Sequence, residues 1–132
     1  MELLLLAVGK TGIKFVEAGI EEYTTRLRRY VPFRTEWLSD VKGAGRLPEH
    51  RQKELEGEQI LSRLQSSDMV VLLDERGREY TSREFSVWLE KTMASGRKRI
   101  VFVIGGPYGF SDAVYARADA RLSLSKMTFN HE

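Results

Sequence analysis

The chain contains no cysteine and only two histidines, His50 and His131. Without thiols there are no disulfide staples and no thiolate metal sites. Two histidines so far apart in sequence also argue against a structural zinc site, so no metal is expected. Long apolar runs are missing as well. Nothing approaches the ~20 residues needed to span a bilayer. "LLLLAV" (Leu3 to Val8) has only the length of a strand. It follows Glu2 rather than a basic segment, so it does not resemble a secretory signal. The lack of cysteine is compatible with a cytoplasmic location, which is the expected one, and no membrane partner is expected.

What is present suits one globular domain over residues 1–132. Apolar residues make up 42% of the chain and charged residues 30%, with a formal net charge of +2. At this size folding buries roughly two-thirds of the surface of the open chain, enough for one core. The basic residues cluster in "RLRRY" (Arg26 to Tyr30), "GRKRI" (Gly96 to Ile100) and the scatter Lys42, Arg46, Arg51 and Lys53. Each cluster alone suits a solvated face. Together they are compatible with a phosphate-bearing partner.

Strand and helix patterns alternate along the chain. Glu2–Val8 is a strand-length apolar run. Ile13, Val16, Ile20, Tyr23, Leu27 and Tyr30 then recur at spacings of three and four, the stripe of a long helix. "PFRTEWL" (Pro32 to Leu38) alternates as a second strand. Ser39 to His50 has the glycines and polar residues of a loop. A helix over Glu49–Gln65 follows, with Leu55, Ile60, Leu61 and Leu64 as its apolar side. "DMVVLL" (Asp68 to Leu73) is a third strand, closed by a turn at "DERGR". Thr81 and Glu84 form a capping box ahead of a helix carrying Phe85, Trp88, Leu89 and Met93 on one face. Arg99–Ile104 is the fourth strand. Ser111 and Asp112 open a short helix, and Leu122 and Leu124 belong to a short last strand. Nearly continuous apolar strands are typical of a parallel sheet covered on both faces. The fold class is therefore α/β, a three-layer domain with a mainly parallel sheet.

Two phosphate-binding motifs fail on spacing. "GKT" (Gly9 to Thr11) would need a glycine at position 4 to be a P-loop, and that residue is Leu4. Gly9 and Gly12 give G-x-x-G, not the dinucleotide fingerprint. "VFVIGGPYGF" (Val101 to Phe110) is the better candidate, because ligands of open parallel sheets sit beyond the carboxyl ends of strands. Gly105 and Gly106 fall there, where glycine admits either a tight turn or a close ligand. On the local sequence these two readings are even. Leu73–Asp74 and the segment after Leu122 would open on the same edge. Beside them "LSKMTF" (Leu124 to Phe129) mixes apolar side chains with backbone polar groups, a lining suited to an adenine ring and a hydroxylated sugar. Asp74 is a candidate ribose ligand or base, and Lys126 a candidate phosphate or carboxylate contact. A solvated acid and a surface lysine are the plainer alternatives.

The blocks "LLLLAVGK", "KELEGEQIL", "VLLDERG", "FVIGGPYG" and "LSLSKMTFNH", collinear over essentially the whole chain, resemble the RlmH family of SPOUT-class methyltransferases. The resemblance implies a C-terminal trefoil knot, an exception to the rule against threading. It implies S-adenosylmethionine (AdoMet) as cofactor, bound by Leu73, Gly105, Leu124, Ser125, Lys126, Met127, Thr128 and Phe129. It implies as substrate a pseudouridine of 23S ribosomal RNA, methylated at N3 in the assembled ribosome, and an antiparallel homodimer. The family normally continues past the "FNH" block with a further helix and a short tail. This chain ends at Glu132, which puts completion of the knot and the dimer in question. No catalytic base is named. His131 is the nearest candidate, with a structural or solvated histidine as the plainer reading. A non-catalytic relative that binds RNA or ribosomes is the first alternative, and a flavodoxin-like nucleotide-binding protein the second.

Overall fold

A computed structural model describes residues 1–9, 14–41, 43 and 46–124. Five strands form one sheet: β1 (Glu2–Val8), β2 (Phe33–Leu38), β3 (Met69–Glu79), β4 (Arg99–Ile104) and β5 (Ala120–Ser123). Their spatial order is β2-β1-β4-β3-β5, and every pairing is parallel. Parallel neighbours need crossovers. These are supplied by α1 (Lys14–Leu27), α2 (Glu49–Ser62), α3 (Ser82–Met93) and α4 (Asp112–Arg117).

Alternate residues of the central strands face opposite layers. Leu4, Leu6, Val70, Leu72, Val101 and Val103 are buried with Ile60 of α2 and Val114 of α4 on one face. Leu3, Val71, Ile100 and Leu122 face the other way, against Phe85, Trp88, Leu89 and Met93 of α3. Each fully buried aliphatic side chain contributes about 1.5–3 kcal/mol, and most such residues lie on β1, β3 and β4. The expected three-layer α/β architecture is the one observed.

The two faces are unequally covered. No residue of α3 is fully buried. Its aromatic side instead forms a half-exposed cluster in which Phe85 stacks on Trp88 at 5.7 Å and both rings contact Phe102. The helix begins where its capping box predicts, with the Glu84 N–H donating to Thr81 Oγ1 at 3.1 Å and the Thr81 N–H to Glu84 Oε1 at 2.9 Å.

The first helix departs from its expected stripe. It ends at Leu27, short of Tyr30, and Tyr23, Leu27 and Tyr30 are exposed while Thr24 is buried. The reason is its station over the edge strand. Between α1 and β2 runs a groove lined by Glu17, Ile20, Thr24, Arg28, Thr35 and Trp37, so the tyrosines point away from the sheet.

The third strand is longer than the apolar run suggested. After Leu73 the chain does not turn away. Leu73 and Arg78 both pair with Leu122, and Asp74 to Gly77 form an irregular insertion between them. A polar segment is kept in the sheet this way because the register jump absorbs it, as a β-bulge absorbs one residue.

At the amino edge a fully buried acid, Asp68, is clamped by Arg99, whose Nε and terminal nitrogen donate to the two carboxylate oxygens at 2.9 and 2.6 Å. The Gln65 N–H donates to it as well, at 2.7 Å.

Candidate functional site at the carboxyl edge of the sheet

Because all five strands run the same way, the segments leaving β3, β4 and β5 open on one edge. The β3–β4 ladder ends at Leu72 opposite Val103, and on the other side Leu73 lies opposite Leu122. The order β4-β3-β5 therefore puts Leu73 in the middle, with Gly105 beyond β4 on one side and Leu124 beyond β5 on the other. Leu73 is half-buried, Gly105 is buried, and Leu124 is 71% exposed. The strand order sets these three residues at the same edge of the sheet. Ser125, Lys126, Met127, Thr128 and Phe129, with His131, lie outside the described residues.

The glycine-rich turn has its own internal logic. Gly106 and Gly109 face each other across a tight turn, the Gly109 N–H donating to the Gly106 carbonyl at 3.2 Å. Pro107 and Tyr108 occupy its corners, where proline's fixed φ suits the first corner, and Gly109 takes a φ of 82°. The turn is pressed against α2. A β-carbon on Gly106 would lie 2.5 Å from Glu56 Oε1. Glu56 is only 3% exposed and accepts from Gln52 Nε2 at 3.2 Å. Gly105 was expected to leave open space for a ligand. Its missing side chain instead makes room for Phe110, whose ring would stand 2.9 Å from a β-carbon there. Any ligand contact at Gly105 is thus made by its backbone, with Phe110 as the wall behind.

Asp74 is half-buried and already engaged within the protein. Its Oδ2 accepts from the Tyr115 hydroxyl at 2.6 Å and its Oδ1 from the Arg76 N–H at 3.0 Å. Burial, then the hydrogen bond to Asp74, push the Tyr115 pKa up to about 12, so the phenol stays protonated and donating. Local sequence gave no sign of this pair, since its members are 41 residues apart. Gln52 and Glu56 were also missed, because polar residues on a helix otherwise read by its leucines carry no burial signal. Among the described residues no group of three or more His, Cys, Asp or Glu could hold a metal ion, and no helix is long and apolar enough to cross a membrane.

The glycine turn, the exposed Leu124 and the half-buried Leu73 lie at the carboxyl edge of an open parallel α/β sheet, the side on which such sheets bind their ligands. Comparison with known proteins places it more closely. A family profile described as "Predicted SPOUT methyltransferase" matches residues 1–132, and the chain belongs to that family. Over all 132 residues it is 52% identical to a protein of Christiangramia forsetii, 53% to one of Porphyromonas gingivalis and 48% to one of Flavobacterium johnsoniae. Each bears the name Ribosomal RNA large subunit methyltransferase H, and in each the match covers 84% of the relative's length.

Proposed function

We propose that the chain is an AdoMet-dependent methyltransferase of large-subunit ribosomal RNA, acting at N3 of a pseudouridine in the assembled ribosome. The observation that carries this reading is the convergence of Leu73, Gly105 and Leu124 on one sheet edge, in a chain about half identical to proteins named for that activity.

The residues present fit the donor. Leu124 projects an apolar side chain largely into solvent, and Leu73 is half-buried at the same edge, apolar surface suited to a ring. The turn from Gly105 offers main-chain polar groups. In this reading Leu73, Gly105, Leu124 and the run Ser125 to Phe129 hold AdoMet, whose sulfonium supplies an activated methyl group. The protein's own part is to bind the donor, shield it from water and align it with the base, for which positioning supplies much of the rate. The target nucleotide leaves its stack to reach the edge, and RNA contacts are largely electrostatic and salt-sensitive. A trefoil knot formed by the chain after β5, an antiparallel homodimer and a cytoplasmic location complete the proposal.

Methyl transfer from labelled AdoMet to whole ribosomes, run beside naked RNA, tests it. Incorporation at a pseudouridine is expected with ribosomes. Ribosome binding and AdoMet binding without transfer would favour the non-catalytic alternative, and absence of AdoMet binding would remove the methyltransferase reading.

A further inference from the structure

Three of the segments at the carboxyl edge carry the proposed site, and a single side chain touches a neighbour of each. Tyr115, on α4, donates its hydroxyl to Asp74, the residue after Leu73. Its ring meets Phe110 edge-on at 5.8 Å and 81°, and Phe110 is the wall behind Gly105. The guanidinium of Arg121 lies over the same ring, 4.6 Å from its centroid, and Arg121 stands on β5, three residues before Leu124.

We propose that Tyr115 is a positioning residue of the methyl-donor site, fixing the segments at Leu73, Gly105 and Leu124 relative to one another through Asp74, Phe110 and Arg121. The inference rests on the reading above that this edge binds AdoMet.

The need for such a device comes from the register jump. Leu73 and Arg78 share Leu122 as ladder partner, so the ladder does not place Asp74 to Gly77. Two contacts help to place them. Gly77 lies so close to β5 that a β-carbon would stand 2.7 Å from the Arg121 carbonyl carbon and the Leu122 nitrogen. At the other end Asp74 is held by Tyr115 at 2.6 Å. A phenol donating to a carboxylate makes a strong, directional tie, and the Tyr115 hydroxyl keeps its proton throughout the physiological range. The insertion is therefore pinned at both ends, and the end next to Leu73 is pinned by one hydroxyl. Pre-set loops spare a ligand the entropy of ordering them. Tyr115 packs against the core cluster that holds Phe110, so a change that removes the hydroxyl and keeps the ring should weaken donor binding while leaving that packing in place.

The test is calorimetric titration of AdoMet into the full chain and its variants. Tyr115→Phe, which keeps the ring, and Asp74→Ala should each weaken binding roughly tenfold or more at full stoichiometry, the order expected for a lost charge-assisted hydrogen bond. Asp74→Asn keeps an acceptor for the hydroxyl and should recover most of what Asp74→Ala loses. The double variant Tyr115→Phe/Asp74→Ala should be no weaker than either single one, the signature of a shared interaction. In ribosome methylation the same variants should raise the KM for AdoMet with kcat nearly retained. A merely structural role would lower the number of competent sites at unchanged Kd. That result, or unchanged affinity in both Tyr115→Phe and Asp74→Ala, overturns the proposal. Failure of the unaltered chain to bind AdoMet would instead remove the reading of the site on which it rests.

Discussion

Gly106 and Glu56 approach each other more closely than a methyl group would permit: a β-carbon on Gly106 would stand 2.5 Å from Oε1 and 2.7 Å from Oε2 of that buried carboxylate. Glu56 is a flexible side chain, but it is enclosed between α2 and the turn, so it has little room to retreat. Gly106→Ala should therefore destabilise the fold by about 1–3 kcal/mol, the usual cost of overpacking. Urea unfolding checks this. Adding Glu56→Asp, which draws the carboxylate back by one methylene, should recover part of the loss, and strict additivity of the two changes would contradict the contact.

Gly105 is small for a different neighbour. Because its β-carbon direction is filled by Phe110, Gly105→Ala acts on the ligand indirectly, by pushing the Phe110 ring. Phe110→Leu in the Gly105→Ala background should restore both stability and most of the AdoMet affinity that Gly105→Ala loses. A double variant that regains stability but still rejects AdoMet would mean that the ligand itself occupies the side-chain direction. Melting and titration on the same samples separate the two outcomes.

The parts legible in the sequence were those settled by local chemistry. β1 and β4 have the bounds their apolar runs suggested, because strands buried on both faces need an unbroken run. The Thr81–Glu84 box fixed the start of α3 for a similarly local reason. The edge that gathers Leu73, Gly105 and Leu124 was legible too, since a parallel sheet puts all its strand ends on one side. Features set by distant partners were not. The polar "DERG" segment stays in β3 only because β5 pairs on both sides of it. Asp74 is tied to a distant element because α4 brings Tyr115 over it. The stripe of α1 looked buried by spacing, yet an edge-strand station leaves Tyr23 63% exposed.

Leu124 offers a way to separate ligand binding from folding. It lies just past β5 and stays 71% exposed, so replacing it removes little from the core. Leu124→Ser should leave Tm within about 2 °C of the unaltered chain, since surface changes are usually within ±0.5 kcal/mol. If AdoMet covers this side chain, the same change should weaken binding roughly tenfold or more, the value of burying a leucine. Equal affinity would move the donor away from Leu124.

Stability at low pH should depend on Asp68 at the opposite edge. Burial by itself would raise its pKa, but the hydrogen bonds from Arg99 and the Gln65 N–H, with the charges of Arg99 and Arg117, outweigh it and hold the carboxyl below its ordinary value. In the unfolded chain an aspartate titrates near about 3.9. The contribution is therefore fully present above about pH 4 and fades as pH falls through the lower native value, where protonation breaks the clamp. Asp68→Asn should flatten that part of the acid-denaturation profile, leaving a shallower fall below about pH 4 than in the unaltered chain. Asp68→Ala should cost about 1.5–3 kcal/mol at neutral pH, because the Arg99 guanidinium would lose both carboxylate bonds and keep only the Arg63 carbonyl as a hydrogen-bond acceptor. Urea midpoints measured at a series of pH values check both expectations. Parallel acid profiles for the unaltered chain and Asp68→Asn would show that other carboxyl groups govern acid unfolding. Since Asp68 lies at the amino ends of β3 and β4, remote from Leu73 and Gly105, folded Asp68→Asn protein should still bind AdoMet with little change in affinity.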